Sequence, residues 1–155
     1  MDDFNQIYQA NWQKIFRLCM GYLNDADAAK DLAQETFITV WQQLSKFRNE
    51  SAISTWIYRI AVNKCLRQLE KSKKIINNHQ FVDIADEPAA DEEATRFLYQ
   101  CISELKEMDR VIISLELEDV KQAEIASITG LSEANVRVRI HRIKEKLMKK
   151  FEKHE

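Results

Sequence analysis

Residues 122–147 read QAEIASITGLSEANVRVRIHRIKEKL. Ala126 is small enough for two helices to cross closely beside it. Gly130, four positions on, stands where the first helix must end on a residue that accepts positive φ. Ser132 can cap a second helix, and Val136, six after Gly130, returns to the core with Ile125. Small residue, glycine and branched apolar residue at these offsets make a helix-turn-helix. The second helix turns Ile140, Ile143 and Leu147 inward and exposes Asn135, Arg137, Val138, Arg139, His141 and Arg142. A recognition helix needs this arrangement: arginine reaches guanine edges in the major groove while other basic groups grip phosphate. A hairpin with a basic solvated face is the plainer reading, and the turn spacing and dense arginines weigh against it. The later Lys144, Lys146, Lys149 and Lys150, interleaved with Glu145 and Glu152, read as a solvated tail.

The rest of the chain is helical by the same kind of evidence. Two glycines and one proline in 155 residues leave too few turn residues for hairpins. Phe4, Ile7, Tyr8, Trp12, Ile15, Leu18, Cys19 and Tyr22 recur at steps of three and four, one face of an amphipathic helix. Asn24-Asp25 can cap a second helix, whose buried stripe is expected to be Leu32, Ala33, Phe37, Val40, Trp41 and Leu44. A third is expected from near Ser51 to about Lys71, burying Ile53, Trp56, Ile57, Ile60, Ala61 and Leu66. Periodicity fails between Ser72 and Glu93, where Asp83 to Glu93 holds six acids and the only proline. It resumes at Phe97, Leu98, Cys101, Ile102 and Leu105. The expected fold is all-α: two small helical domains, 1–72 and 94–155, joined by a flexible acidic linker over 73–93.

Charge and cysteine content narrow the function. Net charge is −2, but residues 51–74 carry six basic and one acidic side chains, and residues 120–155 nine and five. Residues 75–119 between them carry three and twelve. A chain touching DNA at two places would look like this. Cys19, Cys65 and Cys101 lie far apart in apolar helical contexts and read as buried thiols of a reducing compartment. No metal-ligand spacing joins them to His79, His141 or His154, so neither metal nor cofactor is expected. There is no phosphate-binding glycine loop and no nucleophile beside a base, so the chain reads as no enzyme. No apolar run approaches the roughly 20 residues of a membrane helix. Nor is the N-terminal Met1-Asp2-Asp3-Phe4 a signal peptide. A cytoplasmic protein is expected.

The N-terminal half resembles a known family. Asp31-Leu32-Ala33-Gln34-Glu35-Thr36-Phe37, followed by Val40-Trp41, resembles region 2.2 of extracytoplasmic-function sigma factors. Phe47-Arg48-Asn49-Glu50-Ser51, then Thr55-Trp56-Ile57-Tyr58-Arg59-Ile60-Ala61-Val62-Asn63, is similar to their regions 2.3 and 2.4. Leu105, Arg110, Val111, Ile112 and Leu115 resemble region 4.1, and the helix-turn-helix falls where region 4.2 belongs. Three motif blocks, in order, cover nearly the whole chain.

The resemblance implies a sigma factor that binds core RNA polymerase and directs promoter-specific initiation. Domain 1–72 would dock on polymerase and read and melt the −10 element. Domain 94–155 would read the −35 element. Asp31, Gln34 and Glu35 would dock on the polymerase clamp, opposite the apolar stripe. The Lys46–Ser51 loop would capture a base flipped from the −10 non-template strand, with Arg48, Asn49, Glu50 and Ser51 at its edges. Arg59, Asn63 and Lys64 would hold strand or phosphates beside it. Ser132, Asn135, Arg137, Val138, Arg139, His141 and Arg142 would contact the −35 element. Trp41, Phe47 and Trp56 read as core before they read as stacking platforms. The resemblance also implies an anti-sigma partner. It places the acidic linker where longer sigma factors thread the RNA exit path, although plain disorder gives the same composition.

Some positions depart from the pattern. Lys30 stands where an acid is common, Arg67 where region 2.4 usually has Asp, and Glu70 where a base is frequent. These bear on −10 readout more than on class. The chief rival is a helix-turn-helix repressor or activator that binds operator duplex without polymerase. It would have no use for the Asp31–Phe37 and Trp56–Asn63 blocks.

Overall fold

The computed structural model describes residues 3–72 and 92–154. Among them lie seven α-helices and no strand: α1 (Phe4–Leu23), α2 (Ala26–Gln43), α3 (Ile53–Ser72), α4 (Glu92–Ser103), α5 (Glu107–Leu117), α6 (Gln122–Thr129) and α7 (Glu133–His154). A 3-10 turn at Leu44–Lys46 follows α2. The all-α expectation holds. Most of the expected acidic linker, 73–91, lies outside the described residues, but its far edge moves: Glu92 and Glu93 form the first turn of α4. Carboxylates there face the positive end of the helix dipole, so local acidity is no sign of a loop.

Side-chain caps set the first two helices. The Asp3 carboxylate accepts from the Gln6 amide at 2.9 Å, and the Gln6 side chain accepts from the Asp3 amide at 3.3 Å, a reciprocal capping box. Asn24 ends α1 in the left-handed region at φ 50°, its amide donating to the Met20 carbonyl. The Asp25 carboxylate then caps α2 by accepting from the Ala28 amide at 3.1 Å. So short a joint folds α2 back along α1.

The first unit is α1, α2 and α3 packed together. Ile7, Ile15, Leu18, Cys19 and Tyr22 of α1 meet Leu32, Ala33, Phe37 and Val40 of α2 in a closed core. The Tyr8 ring stands edge-on to Phe37 at 5.0 Å and stacks on Trp12 at 5.3 Å. Truncating a residue such as Leu18 to Ala would leave a cavity costing about 2–5 kcal/mol. Trp41 departs from expectation: it is 65 % exposed, while its neighbour Val40 is fully buried. One residue is 100° of helix, enough to move a side chain from the stripe to the open face.

The α3 stripe is also rotated from its expected position. Thr55, Ile57, Tyr58, Ala61, Val62 and Cys65 are the buried set, while Ile53, Trp56, Ile60 and Leu66 are only partly covered. The reason is a partner distant in sequence: α6 packs on α3 in addition to α1 and α2. Cys19 and Cys65 are free, buried and joined by a thiol hydrogen bond, which together with burial pushes the Cys65 thiol well up.

The second unit is α4 to α7. Val111, Ile112, Ile113 and Leu115 of α5 meet Ile125 and Ile128 of α6 and Val136, Ile140, Ile143 and Leu147 of α7. Phe97 closes the far end, edge-on to Phe151 at 4.9 Å and stacked on His154 at 3.9 Å. The two units then pack on each other, α1 against α4 and α5, so one apolar cluster runs through both. Among the described residues no helix is long and apolar enough to cross a membrane.

Candidate nucleic-acid interface

The expected turn between α6 and α7 is present. Gly130 sits at φ 79°, its amide donating to the Ala126 carbonyl at 2.9 Å. The Ser132 hydroxyl caps α7 by accepting from the Asn135 amide at 3.1 Å. Ile125 and Val136 are fully buried across the turn. On the far side of α7, Asn135, Arg137, Val138, His141 and Arg142 are exposed and Arg139 is half-buried. At 100° per residue, Arg137 and Arg139 fall at opposite edges of an exposed arc of roughly 200°, with Val138 and Arg142 near its middle. Arg139 is also committed elsewhere. Its guanidinium donates to the Asn135 side chain at 3.0 Å and pairs with Asp109 of α5 at 3.3 Å. The His141 ring lies 3.1 Å from Glu145.

The second basic surface surrounds the start of α3. The Phe47 ring packs on Trp56 at 5.0 Å, which pins the loop between α2 and α3. Both rings are partly buried, in keeping with a packing role. Beyond that anchor Arg48, Asn49 and Glu50 are exposed, and Asn49 stands in the left-handed region at φ 58°. Ser51 is half-buried. Asn63 is exposed and Lys64 partly so. Arg59 is half-buried and engaged across the units: it donates to the Ser127 hydroxyl of α6 at 2.8 Å. One turn earlier the Thr55 hydroxyl meets the Glu124 carboxylate at 3.3 Å.

A third surface is the outer face of α2. Asp31, Gln34 and Glu35 are exposed opposite the buried stripe. Sequence reasoning missed that the face continues into Ile38 and Trp41, 55 % and 65 % exposed. With Phe4, Tyr8, Gln34 and Phe37 they line a groove of about 590 Å³. The signal was available: residues 31, 34, 38 and 41 recur at helical spacing, as one face must. A second apolar groove, of about 460 Å³, lies between α5 and α7 with Leu117 and Met148 on its rim. Exposed apolar patches of this kind mark places where partners bind. Among the described residues no group of three His, Cys, Asp or Glu side chains is placed to hold a metal ion.

Comparison with known proteins agrees with this layout. Residues 7–75 match Sigma-70 region 2 and residues 97–147 match Sigma-70, region 4. The RNA polymerase sigma-H factor of Pseudomonas aeruginosa is 31 % identical, over 88 % of this chain and 79 % of its own length. The chain belongs to the extracytoplasmic-function sigma factors of the sigma-70 family. SigV of Bacillus subtilis is also 31 % identical, over 84 % of the chain and 80 % of its own. The ECF sigma factor SigW of the same organism is 28 % identical, over 97 % and 89 %. Among solved structures, the sigma factor RpoE in complex with the anti-sigma factor NepR, from Bartonella quintana, superimposes with a TM-score of 0.79. It is 19 % identical, with 96 % of each chain covered. CnrH in complex with the cytosolic domain of CnrY gives 0.75 at 23 % identity, over 98 % of this chain and 89 % of that one. At such identities the superpositions speak to fold alone. In this sigma factor region 2 corresponds to α1–α3 and region 4 to α4–α7, and its role is in transcription initiation.

Proposed function

We propose that this sigma factor binds core RNA polymerase, reads a −35 element with α7, reads and melts a −10 element with α3 and the loop before it, and catalyses nothing itself. It would work in the cytoplasm, where polymerase and promoter are. The observation that carries the reading is the α7 arc, basic and open, mounted on a buried row of Val136, Ile140, Ile143 and Leu147. Such a helix is rigid enough to enter a major groove and offers guanidinium groups to bases and phosphates. Arg142 and Val138, near the middle of the arc, face the base edges, with Asn135 between them and the Arg139 margin. Arg137 and Arg139, at its margins, face the two phosphate walls, with His141 between Arg137 and the centre. Ser132 brings the helix N-terminus to a phosphate.

In domain 1–72, Arg48, Asn49, Glu50 and Ser51 supply hydrogen-bonding edges for an extruded base, held on a loop that Phe47 and Trp56 keep short. Arg59, Asn63 and Lys64 take the strand alongside. Docking on polymerase uses Asp31, Gln34 and Glu35 and, as an apolar anchor, Ile38 and Trp41. A buried aromatic within a polar rim is the usual form of an interface hot spot. An anti-sigma factor is the expected inhibitor; the similar RpoE structure is of a complex with the anti-sigma factor NepR.

Electrophoretic mobility shift with and without core polymerase tests the reading. The free chain should bind promoter duplex weakly and become promoter-specific only in the presence of core. Tight, specific operator binding by the free chain would favour a repressor or activator.

A further inference from the structure

Asn135 and Arg139 stand one turn apart on the outer side of α7 and are tied both to each other and to the body of their unit. The Arg139 Nε donates to the Asn135 Oδ1 at 3.0 Å, and its Nη1 donates to the Asp109 carboxylate of α5 at 3.3 Å. The Asn135 backbone amide is fixed as well, donating to the Ser132 hydroxyl at 3.1 Å. Asp109 anchors this chain of bonds. Its side chain is only 19 % exposed, and it stands on a helix whose Val111, Ile112 and Leu115 are core.

The arrangement decides which end of the Asn135 carboxamide a ligand meets. A guanidinium has only N–H donors, so the atom that faces it must be the oxygen. The bond is charge-assisted, and therefore stronger than one from a neutral donor. The other end, Nδ2, makes no hydrogen bond among the described residues, and Asn135 is exposed. Asn135 also lies in the first turn of α7, the part of a recognition helix that reaches base edges. An unrestrained asparagine reads adenine with both ends, its oxygen accepting from N6 while its nitrogen donates to N7. Here the oxygen is held toward the Arg139 margin, and the two N–H groups of Nδ2 are what remains to offer. Guanine suits them, because its O6 and N7 are acceptors side by side. Cytosine presents a donor there, and adenine sets a donor beside its acceptor.

We propose that Asp109 and Arg139 set the base preference of Asn135, turning it from an adenine reader into a donor that selects guanine at one pair of the −35 element. Asn135 touches the base; Arg139 and Asp109 are positioning residues that act through it. Without the carboxylate, Arg139 would be free to swing out to a phosphate and release the carboxamide oxygen. With it, the guanidinium is held side-on across Asn135. The proposal rests on the reading of α7 as the −35 helix.

The test is a binding selection by the full chain on core polymerase. The probe is a promoter found by run-off transcription, with its −35 region alone randomised, and bound and free DNA are sequenced. Wild type should show one pair at which guanine is favoured about fivefold or more over adenine, and Asn135→Ala should lose that preference. Arg139→Met, which removes the donors but keeps the stem, should move the same pair toward adenine by about threefold to tenfold. Asp109→Asn, nearly identical in shape, should move it the same way by less, and both variants should leave the other pairs as they were. Circular dichroism checks folding; should Arg139→Met fail there, Asp109→Asn decides. Variants that weaken all sequences alike and keep guanine at that pair would reveal a merely structural network and overturn the proposal. So would a wild-type preference there for any other base. If Asn135→Ala alters no pair while Arg142→Ala alters one, the proposal falls and α7 remains the −35 helix. If neither alters any pair, that reading falls and takes the proposal with it.

Discussion

The Arg139 guanidinium, on the flank of the recognition helix, is paired with the Asp109 carboxylate of α5 at 3.3 Å. The pair fixes one edge of the α7 arc to the body of region 4. It also gives the three arginines of that helix unequal freedom, since Arg137 and Arg142 are exposed. Replacing Arg142 by Ala should cost about 1–3 kcal/mol on a cognate −35 duplex and relax preference at one base pair. Replacing Arg137 should weaken all sequences alike and lower the salt slope by about one. Arg139→Ala should show the smallest loss in DNA binding and a measurable loss in thermal stability. Fluorescence anisotropy across a salt series, with core polymerase present, separates the three.

The turn depends on one backbone angle. Gly130 stands at φ 79° with open space where a β-carbon would go, so a substitution meets strain without collision. Gly130→Ala should therefore destabilise the chain by about 1–2 kcal/mol through left-handed backbone alone. Thermal melts should record the loss with the helical signal at low temperature unchanged.

Tyr58 should respond to alkali. Burial, then the nearby Glu118, push its hydroxyl well above the ordinary tyrosine value, while Arg17 opposes them. A group whose proton is held more tightly in the folded state stabilises that state below its unfolded pKa. The contribution is lost as pH rises past about 10 toward the higher folded value. Chemical denaturation above neutral pH should show falling stability, less steeply in Tyr58→Phe. Near neutral pH that variant should be neutral or slightly stabilising, because it deletes a hydroxyl without a partner.

Docking should fail in two separable ways. Replacing Gln34 and Glu35 together by Lys should abolish binding to core polymerase without unfolding, since both lie off the buried stripe. Trp41→Ala should weaken core binding by about 2 kcal/mol or more if it is the apolar anchor. Its cost to stability should be small for so large a residue, because the ring is 65 % exposed. Co-migration with core on gel filtration, and a melt of each variant, check both statements.

How much of this the chain discloses depends on the range of the interactions involved. Helix 1, the Asp25 cap and the turn from Ala126 to Val136 are local, and each follows from spacing or a capping side chain. Periodicity alone misplaces the α3 face, because α6, more than 60 residues away in sequence, packs on its Thr55 side. Arg139 looked as free as Arg137 because Asp109 is distant in sequence. Hydrophobicity places Trp41 in the core, although its helical angle puts it with Gln34 and Ile38. Glu92 and Glu93 looked like linker because composition, read without the helix dipole, does not tell a first turn from a loop.

Run-off transcription with purified core polymerase on genomic fragments bears most directly on the central claim. The wild-type chain should direct core to discrete start sites. Replacing Asn49, Glu50 and Ser51 together by Ala should spare core binding yet suppress initiation on duplex promoters, with recovery when the −10 region is pre-opened by mismatches, because the cost of unstacking the base is then already met. A chain that gives core no promoter preference, or a loop variant that initiates on duplex DNA as well as wild type, would contradict the account.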